Sequence, residues 1–158
     1  MEFVELVNEM EQQKRELRAL NKKRADIRCD MLYPAAAQYD TPKVRTSKEN
    51  KMQKYIERLE EIDIAILKRK INIIGIYNFI ETILFYMPTS NLRLLLHIKY
   101  CDSDLTKKVT WLEVAKELRL DDHYVRCDLK NKAFKEADET IKNLEGVELK
   151  EYNFCSIV

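Results

Sequence analysis

Phe3, Leu6, Met10, Gln13, Leu17, Leu20, Arg24, Ile27 and Met31 follow one another at alternating steps of three and four, and seven of these nine are apolar. That is the inner seam of a coiled-coil helix, and it predicts a helix over 2–32 in which Gln13 and Arg24 are polar seam positions that set register. Pro34 ends it. The same spacing resumes at Met52, Tyr55, Leu59, Ile62, Ile66, Arg69, Ile73, Ile76, Ile80, Ile83 and Met87. It predicts a second helix over 51–87, about 55 Å long. Its second half, INIIGIYNFIETILFYM, is apolar on most sides and is expected to be buried on more than one face. Asn72, Asn78 and Glu81 interrupt that run, and it continues a heptad begun in polar sequence. Both facts favour a buried central helix over a membrane span.

Between the two helices lies PAAAQYDTPKVRTSKEN, residues 34–50. Two prolines with Asp, Thr, Ser and Asn make a poor helix, and the stretch is long for a loop inside a compact domain. A solvated, flexible connector is the expectation. Two heptad helices on one connector predict an antiparallel hairpin. Charge agrees with that pairing, because residues 12–28 hold seven bases against two acids while Glu57, Glu60, Glu61 and Asp63 lie on the second helix. Such pairs add little stability but choose orientation. The same seam leaves a homodimer through an intermolecular coiled coil open.

Pro88 stops the second helix, and NLRLLLHIKY over 91–100 reads as a short buried helix. His97, set among apolar neighbours, reads as a core or edge histidine rather than a catalytic one. The loop CDSDLTKKV leads into TWLEVAKELRLDDHYVRCDLKNKAF, residues 110–134. Thr110 with Glu113 three residues on is a capping box. Trp111, Val114, Ala115 and Leu118 form one apolar face, and Asp121 caps a following helix. Val125, Leu129 and Ala133 give that helix its inward stripe. This is helix-turn-helix spacing, with the small Ala115 where two helices cross and Val125 ten residues later. Arg119 stands where glycine usually makes the left-handed turn. Asp128 occupies a position that is usually apolar, and Leu129 takes over from it. At 100° per residue the outward side of the second helix carries His123, Tyr124, Cys127, Lys130 and Asn131, with Arg126 at its flank. From Asp122 to Lys135 there are four bases and two acids. Arg, Lys and Asn can read base edges, and neutralising phosphates drives affinity. The expected DNA-contacting set is therefore His123, Tyr124, Arg126, Lys130, Asn131, Lys132 and Lys135. Farther on, Phe134, Ala137, Ile141 and Leu144 form a rotated stripe that should pack elsewhere, with Gly146 ending the helix.

Composition narrows the class. With only two glycines and three prolines among 158 residues, the chain is predicted all-α. The organisation expected is a long, coiled-coil-like antiparallel helical hairpin over 1–87, a helix-turn-helix domain over 88–146 and a tail over 147–158. The formal net charge is +1, so a basic face must be local rather than global. The four cysteines, Cys29, Cys101, Cys127 and Cys155, are far apart in sequence, and only two histidines are present. No short-spaced metal-ligand cluster appears, so no metal or cofactor is expected. With no glycine-rich phosphate loop and no Ser/His/Asp constellation, an enzyme is not expected either. Free thiols in a reducing cytoplasm fit this usage.

The segments YDTPKVRTSKENKM, LRLLLHIKY, TWLEVAKEL and VRCDLKNKAF, in that order, give the chain from about Tyr39 onward a resemblance to a family of small phage and prophage proteins. It resembles the RinA-like and ArpU-like late-gene transcription regulators, whose C-terminal domain is similar to region 4 of sigma factors. The resemblance implies a helical stalk, a DNA-binding domain acting on phage promoters beside host RNA polymerase, and a bacterial cytoplasm as its location. The expected function is thus a transcription regulator that binds double-stranded DNA. The alternative, motivated by the near-neutral charge and the long seam, is a protein-binding module or inhibitor that engages a host protein.

Overall fold

The computed structural model describes residues 2–33, 48–101 and 104–144. Within them the chain is all helical, with 87% of residues in helix and no strand. Helix α1 spans Phe3–Leu32, α2 spans Lys48–Tyr86, α3 spans Ser90–Tyr100 and α4 spans Trp111–Leu118. A fifth helix, α5, runs over 122–144 and is α-helical at Asp122–Tyr124, π-helical at Val125–Leu129 and α-helical again at Lys130–Leu144. The connector expected over 34–50 falls outside the described residues except for its last three, which belong to α2. Gly146 and the tail over 147–158 also lie outside them.

The heptad seams of α1 and α2 meet antiparallel. Leu17 of α1 is fully buried with Ile62, Ile66 and Ile73 of α2, and Leu20 and Ile27 pack against them. The polar seam positions find partners in this register. Arg69 donates to the Gln13 side-chain oxygen at 2.9 Å and forms an ion pair with Glu16 at 2.9 Å. Arg24 pairs with Asp63 at 2.8 Å, so the basic part of α1 lies along the acidic part of α2 as charge alone predicted. These half-exposed pairs are each worth about 0–1 kcal/mol, but a slipped or parallel hairpin would break all three.

At the other end of the hairpin one core joins every helix. Phe3, Leu6 and Met10 of α1 are buried with Ile76, Ile80 and Ile83 of α2, Leu95 and Leu96 of α3, Val114 of α4, and Val125, Ala133 and Ile141 of α5. An aromatic cluster pins the crossing. Phe3 meets Phe134 edge-on at 5.4 Å and Tyr100 at 6.1 Å, and Tyr100 meets Trp111 at 6.2 Å. The Phe3 backbone N–H donates to the Asp138 carboxylate at 2.7 Å, and the Thr89 N–H donates to Glu136 at 2.9 Å. The rotated stripe of α5 therefore packs on the apolar half of the hairpin, and the packing runs unbroken past Pro88.

One expectation is revised. The second half of α2 is covered on one broad side rather than on more than one face. Ile73, Ile76, Ile80 and Ile83 are buried, while Ile71, Ile74, Phe85 and Tyr86 are exposed. Helices α1, α3 and α5 cover the same side of α2, and among the described residues no element lies over the other. No helix among the described residues is long and apolar enough to cross a membrane.

Candidate nucleic-acid interface

Local chemistry builds the two-helix unit at 110–144. The Thr110 hydroxyl accepts from the Glu113 backbone N–H at 3.3 Å, and the Glu113 carboxylate accepts in return from the Thr110 N–H. The capping box read from the sequence is formed, and α4 starts where it should. Those hydrogen bonds from the Thr110 backbone and side chain also hold the Glu113 carboxyl below its usual value. The far end of α4 closes on Arg119, which adopts φ 55° and ψ 40°. A non-glycine residue pays roughly 1–2 kcal/mol for that left-handed conformation. The arginine makes the glycine-type turn nonetheless, because Leu120 N–H bonds the Ala115 carbonyl at 2.9 Å and Arg119 N–H the Lys116 carbonyl at 3.2 Å. Asp121 then caps α5 by accepting from the Tyr124 N–H at 3.1 Å.

The inward positions hold. Val114, Ala115, Val125 and Ala133 are buried, with Leu118 and Leu129 half-buried beside them. The one-residue displacement of the inward position from Asp128 to Leu129 coincides with a π-helical turn, whose closing bond runs from the Lys130 N–H to the Val125 carbonyl. A single extra residue inserted into a helix produces such a bulge. It leaves Asp128 exposed and lets Leu129 fill the inward place.

Of the expected DNA-contacting set, His123, Tyr124, Arg126, Asn131, Lys132 and Lys135 are exposed, and Lys130 is half-buried. Several are engaged within the chain. Arg126 is ion-paired with Asp122 one turn earlier. The Asn131 amide donates to the Cys127 carbonyl at 2.6 Å. The Lys130 ammonium lies over the rings of Trp111 at 5.9 Å and Phe134 at 5.6 Å. Tyr124 turns toward a groove of about 320 Å³ that it lines with Leu94, Leu95, Leu118, Leu120 and Leu129. His123, Lys132 and Lys135 complete the exposed set.

Two buried groups at the end of α3 were not singled out from the sequence. Lys99 is buried against the rings of Tyr100 and Trp111 at 5.2 and 5.3 Å, and its ammonium donates to the Val109 carbonyl. Burial lowers its pKa, with Glu11 opposing. The Cys101 thiol is pushed up to about 12, first by burial and then by the charge of Glu81. Lys99 anchors the loop before α4 to the core. Its alternation with apolar residues in LLLHIKY gave no warning, because a buried lysine follows the same helical phase as a buried leucine.

No family model, curated protein or solved structure matches the chain.

Proposed function

We propose that the chain binds double-stranded DNA through the first turns of α5 and acts as a transcription regulator of the phage or prophage type, beside host RNA polymerase. The observation that carries this reading is the two-helix unit itself. It is capped at Thr110, turned at Arg119 and capped again at Asp121, with Val125 and Ala133 buried and His123, Arg126, Asn131, Lys132 and Lys135 exposed on α5. A helix presented in this way can lie in the major groove. Opening the Arg126–Asp122 pair frees a guanidinium for phosphate or guanine. The resemblance in TWLEVAKEL and VRCDLKNKAF supports the same reading. The test is binding of the full chain to duplex fragments over a salt series. Affinity should fall steeply with salt, and Lys132→Ala with Lys135→Ala should flatten the logarithmic slope by about one per lost phosphate contact. Salt-independent or absent binding ends the proposal.

A protein-docking role is favoured by a separate observation on α2. Ile64, Leu67, Ile71 and Ile74 recur at three-four spacing and are 46% to 58% exposed. They lie opposite Ile62, Ile66 and Ile73, which face α1. The stripe is all aliphatic with β-branched Ile64 and Ile71 at alternate seam positions, and Asn78, a residue that fixes register in coiled coils, falls at the next one. The partner that fits is a second copy of the chain. In a parallel pairing Asp63 of one copy faces Lys68 of the other. This reading needs no change in the first, since regulators that read DNA with one helix commonly dimerise.

A further inference from the structure

We propose that Glu81, His97 and Cys101 form a Zn²⁺-binding site that ties α3 to α2. Their ligand atoms all lie within 4.8 Å of one another, and His97 Nε2 is 3.9 Å from Glu81 Oε1. In a tetrahedral zinc site with bonds near 2.0 Å to N and O and 2.3 Å to S, ligand atoms sit roughly 3.3–3.5 Å apart. Glu81 and His97 have side chains 44% and 53% exposed, so small rotamer changes close the remaining gap. His97 and Cys101 are one helical turn apart and converge on one side of the α3 terminus, while Glu81 reaches them from α2.

The donor set selects the ion. A thiolate with an imidazole suits zinc rather than magnesium or calcium, which take oxygen ligands. Three protein ligands leave the fourth place to water, on the side where His97 and Glu81 meet solvent. Binding displaces the thiol proton to solvent, forming a Zn–S bond from Cys101. The carboxylate is already oriented from behind, because the Tyr77 hydroxyl donates to Glu81 Oε1 at 2.9 Å. Outer-shell bonds of this kind fix ligand geometry. The site spans the bend at Met87–Thr89 between α2 and α3. A bound ion would therefore stiffen that bend.

A second thiol–imidazole pair supplies the control. Cys127 Sγ and His123 Nε2 are 3.7 Å apart on α5, with no third donor grouped with them. Co²⁺ titration of the full chain reads out both, since a sulfur-to-cobalt charge-transfer band reports thiolate ligation. The expected result is one ion per chain with that band, displaced by Zn²⁺, retained in Cys127→Ser and lost in Cys101→Ser. Glu81→Gln and His97→Ala should weaken binding at least about tenfold, as even outer-shell changes do. Should Cys101→Ser not fold, His97→Ala decides, because the side chain is half-exposed. Unchanged affinity in His97→Ala, a band that follows Cys127, or no thiolate band in the parent chain overturns the proposal.

Discussion

Glu113 and Arg119 hold the two ends of an eight-residue helix, and only Arg119 does so at a cost. Arg119 holds a left-handed backbone without being glycine. The ionised Glu113 carboxylate is favoured by two Thr110 donors, the backbone N–H and the hydroxyl. The sign of that second effect is fixed. A carboxyl whose folded pKa lies below its ordinary value of 4.5 contributes stability that is complete above 4.5 and is lost as pH falls through the lowered folded value. Glu113→Ala should therefore lower the melting temperature at neutral pH, and the difference from the parent chain should vanish in acid. Thermal melts from pH 7 down to about 2 check this. A gap that persists below that range would mean the helix start draws nothing from the ionised carboxylate.

Among the elements, α5 departs most from regularity. Its π-helical turn exists because one residue too many separates Val125 from the rest of the inward stripe. Deleting Asp128 should convert the turn to ordinary α-helix, keep Leu129 and Ala133 inward, and change the melting temperature little. Deleting Glu139, where the helix is regular, should rotate Thr140 and Ile141 out of the core and destabilise by several kcal/mol, as other core losses do. Unfolding curves of the two deletions decide. The contrast marks how far the sequence carries. The seams, the Thr110 and Asp121 caps, the inward Val125, and the replacement of Asp128 by Leu129 were all legible, since each is a local pattern repeated at helical spacing. The engagement of Arg126 by Asp122 and of Lys130 by two rings was not. It depends on rotamers and on Trp111, a neighbour from another helix. Nor was the grouping of Glu81 with His97 and Cys101. His97 and Cys101 show one-turn spacing, but Glu81 comes from α2, sixteen residues before His97. The single-faced burial of α2 was missed for a related reason. Apolar residues all round a helix report what could be covered, not how many helices the chain has to cover it.

For the molecule as a whole, the outer stripe of α2 sets its expected state in solution. Four half-exposed aliphatic side chains in a row are more than isolated surface apolar residues need account for. Sedimentation should give a dimer, and Leu67→Glu with Ile71→Glu should give a folded monomer of unchanged helicity, because neither side chain contributes to the core. A monomeric parent chain at tens of micromolar would count against the pairing. The opposite end of the hairpin sets something else, the order in which the chain can be completed. Phe3 is covered by Phe134 and its N–H is held by Asp138, 135 positions farther on. A ribosome adding about 5–20 residues per second needs on the order of ten seconds to cover that separation. The seam between Leu17 and Ile73 can zip up while the chain is still emerging. Phe3, Leu6 and Met10 can meet α2 and α3 by then, but the side of Phe3 that faces Phe134 stays uncovered until α5 is released.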